Sequence, residues 1–211
     1  MMKKFTRQLT NPSTPSLPSY IPASLTPPSP LPRLIVFDLD YTLWPFWVDT
    51  HPLPPFRPSA DHTSASDRAG ETYAFYPDSP AILLALTTHL SVKVAAASRT
   101  HAPDRARELL KMLWVYAPED ASGAQKKEKP RKAIDFFDAG MEIYPGSKMG
   151  HFENLRKKTG VEFTDMLFFD DESRNAEVES LGVTMWLVKD GMSWEELENG
   201  VGEWRKRRGH A

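Results

Sequence analysis

The sequence predicts an α/β domain, a Rossmann-like three-layer sandwich with a mostly parallel central sheet. Two observations predict it. From residue 34 onward, short apolar runs alternate with segments of helical spacing. The residues just past those runs are acids, hydroxyls and a lysine, and ligands of open α/β sheets gather outside the carboxyl ends of the strands. The chain of 211 residues is long enough for one such domain with a substantial core, and too short for two large ones.

The elements follow in order. Strands are expected at 34–37, 92–97, 142–144, 166–170 and 184–188. Helices are expected between them. The first takes Ser79 as N-cap and Pro80 in its first turn, then runs Ile82 to Leu90. Others cover about 102–113, 131–139, 150–159 (ended by Gly160) and 173–181 (ended by Gly182). The last opens on the capping box Ser193-Trp194-Glu195-Glu196 and sets Trp194, Leu197, Val201 and Trp204 on one face. Three segments break the rhythm. Residues 44–76 read as a β-hairpin or loop insertion, rich in aromatics and prolines at the start and polar over 57–70. Residues 118–132 form a polar, basic loop, expected to be a solvated insertion. Residues 1–32 carry eight prolines and no acid, which reads as a disordered tail, with the folded domain at 33–208.

Composition narrows the function. A formal net charge of −2 gives no electrostatic case for nucleic acid. No apolar run reaches the roughly 18 residues that cross a bilayer, so no membrane partner is expected. The absence of cysteine excludes disulfides, thiolate metal sites and cysteine nucleophiles. A cytoplasmic protein is expected; a mitochondrial one is the alternative if the basic, acid-free tail is a transit peptide. A monomer is the default expectation.

The strand ends carry the chemistry. Asp38, Asp40 and Thr42 follow the first, Ser98, Arg99 and Thr100 the second, and Lys148 comes shortly after the third. Asp170, Asp171 and Glu172 close the fourth, with Asn175 beyond. Adjacent acids at the end of a buried strand are costly unless something positive neutralises them. Carboxylates without paired His or Cys suit a hard cation such as Mg²⁺. Lys148 and the Ser98 hydroxyl can hold phosphate oxygens. One carboxylate can then attack phosphorus, and the acid two residues away can move the leaving-group proton.

The motifs Asp38-Leu39-Asp40-Tyr41-Thr42, Ser98, Lys148 and Asp170-Asp171 resemble the four motifs of the haloacid dehalogenase superfamily, in order. The longer blocks Phe37 to His51, Ala95 to Thr100, Tyr144 to Lys148 and Phe168 to Glu172 resemble the eukaryotic magnesium-dependent phosphatase-1 family over about 31–200. The resemblance implies a Mg²⁺-dependent phosphatase of phosphomonoesters with an aspartyl-phosphate intermediate. Asp38 would be nucleophile and metal ligand. Asp40 would be the general acid/base and would ligate the metal through its carbonyl. Ser98 and Arg99 would bind the substrate phosphate, braced by Lys148, and Asp171 would be the further metal ligand with Asp170 in support. Phosphotyrosine and sugar phosphates, including those on glycated proteins, are the implied substrates, on a small molecule or a phosphoprotein. The 44–76 insertion would be a small β-hairpin flap in place of a large cap, leaving the site open, with 57–70 near the substrate entrance. The competing reading is a catalytically weak phospho-binding or scaffold protein on the same fold. A phospho-receiver domain would need an acceptor acid in mid-chain, and 92–97 supplies none. His51 and His151 read as structural, and Trp44, Phe46 and Trp47 as core or flap packing.

Overall fold

The structure, a computed structural model, describes residues 17–118 and 129–210. Five strands form the central sheet: β1 (Leu34–Phe37), β5 (Lys93–Ser98), β8 (Gly140–Ile143), β9 (Met166–Asp170) and β10 (Thr184–Leu187). Their spatial order is β10-β9-β1-β5-β8, and every pairing is parallel. The chain leaves β1 for β5 and β8 on one side, then returns to β9 and β10 on the other. The sheet therefore changes direction at β1, and the crevice above that point is where such folds bind ligands.

Both faces of the sheet are covered, which is why its central strands read as continuous apolar runs. Ile35 and Phe37 point into the larger core with α1 (Ser79–Leu84), α2 (Pro103–Met112) and α4 (Trp194–Arg207). Leu34 and Val36 point the other way, onto Phe152 and Leu155 of α3 (Lys148–Thr159) and Val178 of the 3-10 helix Ser173–Leu181. These are the three layers expected. α4 sits very close to the sheet: a Cβ added at Gly200 would lie 2.5 Å from the Phe169 ring.

The insertion after β1 is a three-stranded antiparallel sheet of β2 (Arg57–Pro58), β3 (Ser64–Ser66) and β4 (Thr72–Ala74), one strand more than a hairpin. Phe56, Ala65 and Tyr73 bury themselves in the larger core, so the flap is docked on the domain. Asp67 ties its loops by accepting from the backbone of Leu53, Ala69 and Glu71.

Several expectations are corrected. Residues 131–139 are not a helix. Arg131–Lys132 is a strand, β7, paired antiparallel with β6 (Trp114–Val115), and a 3-10 turn, Ala133–Phe136, follows. Pro130 precedes that strand, and Phe136 and Phe137 are both buried, so tertiary packing sets the conformation. Residues 173–181 are 3-10 and not α-helical. Ser79 is not an N-cap; it lies inside α1, its hydroxyl donating to the Leu43 carbonyl at 3.1 Å. Helix α1 also stops at Leu84, and a π-helical turn, Ala85–His89, completes the expected span. The tail expected over 1–32 does not extend that far. Ile21 and Leu25 are buried, Tyr20 packs on Trp194, and Arg205 donates to the carbonyls of Ser24 and Pro30. Residues 1–16, and 119–128 of the basic loop, lie outside the described residues.

Candidate active site

Register builds the site. Phe37 of β1 is level with Ala96 of β5 and Phe169 of β9, and the Phe37 and Phe169 rings stack at 5.4 Å. One step further along, the three strands present Asp38, Ala97 and Asp170. Lys148 reaches all three. Its Nζ donates to Asp38 Oδ1 at 2.7 Å, to Asp170 Oδ2 at 2.9 Å, and to the Ala97 carbonyl. That uses the three protons of the ammonium. Lys148 is only 1% exposed. It opens α3, whose N-cap Ser147 accepts from the Met149 amide at 3.1 Å, so the cap fixes where the lysine begins its reach.

Asp38, Asp40, Ser98, Arg99, Lys148 and Asp171 line one cleft of about 490 Å³, with Trp47, Asp49, Asn175 and others around them. The structure thus brings together all six of the site residues expected from sequence. Asp170 does not line it. This fully buried acid accepts from Lys148, from the Glu172 amide at 2.8 Å and from Asn175 Nδ2 at 2.9 Å. Asp171, just past the strand end, turns to the cleft. Asp40 Oδ1 accepts from Trp44 Nε1 at 2.7 Å and from the Val48 amide at 3.2 Å. Ser98 ends β5 with its hydroxyl at 3.3 Å from the Thr100 amide. Arg99 Nη1 donates to Asn175 Oδ1 at 3.0 Å. Asn175 therefore joins Arg99 to Asp170, a role that no sequence motif marked. None of 57–70 lines the cleft; of the insertion, Trp47 and Asp49 reach it.

The cleft is short of positive charge. Burial pushes the Asp38 carboxyl well up, Lys148 pulls it down, and Asp170 and Asp40 push it up again. Burial, against the bonds from Trp44 and Val48, takes Asp40 up to about 7. Burial and then Asp170 take Asp171 up to about 6. The two carboxylates hold Lys148 above its ordinary value, despite its burial, so it stays charged. Among the described residues no three His, Cys, Asp or Glu side chains form a ready metal cage. Mg²⁺ needs none, since it takes one or two carboxylates and keeps several waters. Acids crowded in a partly dry cleft fit such a cation.

A flap-bearing parallel sheet whose acids meet one buried lysine at its switch point defines the haloacid dehalogenase class of α/β protein. The profile of the acid phosphatase family matches residues 30–207, and the chain belongs to that family, as a haloacid dehalogenase superfamily member of the magnesium-dependent phosphatase-1 type. It is 44% identical over 172 residues to magnesium-dependent phosphatase 1 of Homo sapiens, covering 81% of this chain and 86% of that one. It is 46% identical over 154 residues to a HAD-like hydrolase superfamily protein of Schizosaccharomyces pombe, covering 72% and 83%.

Proposed function

We propose that the chain is a Mg²⁺-dependent phosphatase that hydrolyses phosphomonoesters through an aspartyl phosphate on Asp38. The observation that carries this reading is the Lys148 clamp. It holds Asp38 at the edge of the cleft and locks Asp170 away from it, so one of the two clamped acids is presented to a ligand. Asp38, Asp40 through its carbonyl, and Asp171 would hold Mg²⁺. The cation would neutralise carboxylate and phosphoryl charge that otherwise repel.

The chain's own groups do the rest. Ser98 and Arg99 bind the phosphoryl oxygens, and Lys148 aligns the Asp38 carboxylate. An Asp38 oxygen forms a bond to phosphorus as the bond to the leaving oxygen breaks. Asp40 gives its proton to that oxygen. Burial, which raises this carboxyl to about 7, favours the protonated form that a general acid needs. Asp40, now ionised, then takes a proton from water. The water oxygen attacks phosphorus, Asp38 leaves as carboxylate, and phosphate is released. Phosphotyrosine and sugar phosphates, including those on glycated proteins, belong to this proposal as substrates. An open cleft suits a phosphate carried on a larger body.

Turnover of p-nitrophenyl phosphate tests the reading. It is expected to require Mg²⁺, to stop with EDTA, and to fall at least about 10³-fold in Asp38→Asn. An Asp38→Asn protein with the wild-type rate would rule out the covalent route.

A further inference from the structure

The segment that leaves β5 touches both halves of the cleft. Its first residues, Ser98 and Arg99, line the cleft beside Asp38. Short bonds stiffen it: the Thr100 amide donates to the Ser98 hydroxyl at 3.3 Å, and the Ala102 amide to the Thr100 hydroxyl at 3.2 Å. Helix α2 then begins at Pro103. From its first turn Arg105 reaches across to the loop that follows β1. Its Nη1 donates there to two carbonyls, those of Val48 and Asp49, each at 3.0 Å. His101 approaches the same loop, with Nδ1 3.8 Å from Asp49 Oδ2. No motif in the sequence marks Arg105.

The loop carries a bond to Asp40. Two N–H donors meet that carboxyl, the Trp44 indole at 2.7 Å and the Val48 amide at 3.2 Å, and both end on Oδ1. Among the described residues none donates to Oδ2. A carboxyl whose one oxygen already accepts two N–H bonds carries its proton on the other. Oδ2 is therefore the atom that can pass a proton to the leaving oxygen.

The two donors are not equally secure. Trp44 is fully buried and its ring stacks on Phe46 at 5.1 Å, so core packing fixes its N–H. The Val48 amide belongs to a loop, and its bond is the longer one. The Val48 side chain is buried in the larger core, and Arg105 holds its carbonyl. With both fixed, Val48 cannot turn its amide away from Asp40.

We propose that Arg105 is a positioning residue for the proton transfer. It touches neither the substrate nor the reacting atoms. Through Val48 it keeps the Asp40 carboxyl in one orientation, Oδ1 against the protein and Oδ2 toward the leaving oxygen. Without it, Trp44 alone holds the carboxyl, which then turns more freely about its Cβ–Cγ bond. This rests on the phosphatase reading above.

The test uses two ring esters that differ in their need for the proton. The p-nitrophenolate of p-nitrophenyl phosphate leaves as a stable anion. The leaving oxygen of phenyl phosphate is about as basic as that of tyrosine, about 10. For each ester kcat/KM is measured with Mg²⁺ in wild type, Arg105→Met and Arg105→Lys. This constant covers the steps up to transfer onto Asp38, so slow hydrolysis of the aspartyl phosphate does not mask the effect.

A placed general acid contributes about 10²- to 10⁴-fold, and a misdirected one loses part of that. Arg105→Met is therefore expected to lower the phenyl-to-p-nitrophenyl ratio by about 10- to 100-fold. Arg105→Lys still has a donor for the carbonyls and should recover part of the ratio. Partial unfolding of a variant cancels from the ratio, because both esters meet the same folded fraction. A fall equal on the two esters would mean that Arg105 only braces the loop, and would overturn the proposal. So would an Arg105→Lys ratio as low as that of Arg105→Met. The phosphatase reading would survive both results, because wild type would still turn over. A wild type inactive on both esters would overturn the two together.

Discussion

Replacing Lys148 by Met keeps the length of the side chain and removes its charge. The ammonium lies 2.7 Å from Asp38 and 2.9 Å from Asp170, and all three groups are buried. At an effective dielectric of about 20, each contact is worth roughly 6 kcal/mol of attraction, most of it offset by desolvation. What the variant exposes is that desolvation cost, now borne by two acids with no counter-charge. Removing one partner from a buried ion pair costs about 3–5 kcal/mol, and that is the expected loss of unfolding free energy at pH 7.5 in EDTA.

The pH dependence follows from Asp38. Burial already pushes its carboxyl well above the usual range, and Lys148 is the chief group pulling it down. Without Lys148 it rises further. A raised acid destabilises the folded state most at high pH, and the penalty fades as the pH falls toward the unfolded value of about 4. Urea unfolding at pH 7.5 and 5 should therefore show a smaller gap between variant and wild type at pH 5. Millimolar Mg²⁺ should narrow the gap at pH 7.5 by supplying the missing positive charge. A variant as stable as wild type at pH 7.5, or a gap that widens on acidification, would refute the clamp.

Two further outcomes are expected. Gly200→Ala should destabilise by about 1–3 kcal/mol, because its Cβ would lie 2.5 Å from the buried Phe169 ring and outweigh the gain of about 1 kcal/mol in helix propensity; a thermal midpoint at or above that of wild type would contradict this. Burial, then Lys148, lowers His151 to about 4 against an unfolded value near 6.5, so the unfolded chain binds the extra proton and stability falls by up to roughly 3 kcal/mol between pH 6.5 and 4. His151→Phe should flatten that part of the urea-midpoint profile, and an unaltered profile would count against it.

The central strands were legible because a parallel strand covered on both faces is apolar at every position. The acids were legible because they sit where those runs stop. Other features hid for identifiable reasons. The segment 173–181 buries Asn175 and Val178, three apart, which is the 3-10 repeat; with Gly182 beyond it, the same residues also pass for one face of an α-helix. Asn175 was visible past the fourth strand but unassigned, because an amide that links an acid to an arginine leaves no spacing pattern. The proline-rich stretch read as tail shows why composition can mislead. Proline fixes φ in the unfolded chain too, so ordering residues 17–32 costs less than their polarity suggests, and Tyr20, Ile21 and Leu25 are enough to dock them beside α4.

The two acids of β9 show how one residue's shift separates structure from chemistry. Neither their identity nor their order distinguishes Asp170 from Asp171 in the sequence. Register does. Asp170 is the last residue of the strand, level with Asp38, so it meets Lys148 and is closed off by Asn175 and the Glu172 amide. Asp171 lies one residue past the ladder, faces the cleft, and is pushed up to about 6 by burial and by its neighbour. A buried acid with its bonds taken serves to hold Lys148. A half-buried acid at the cleft edge, raised by burial and then by a nearby negative charge, is one that a divalent cation would stabilise. The first makes the second useful, because the lysine that Asp170 anchors is the same one that aligns Asp38.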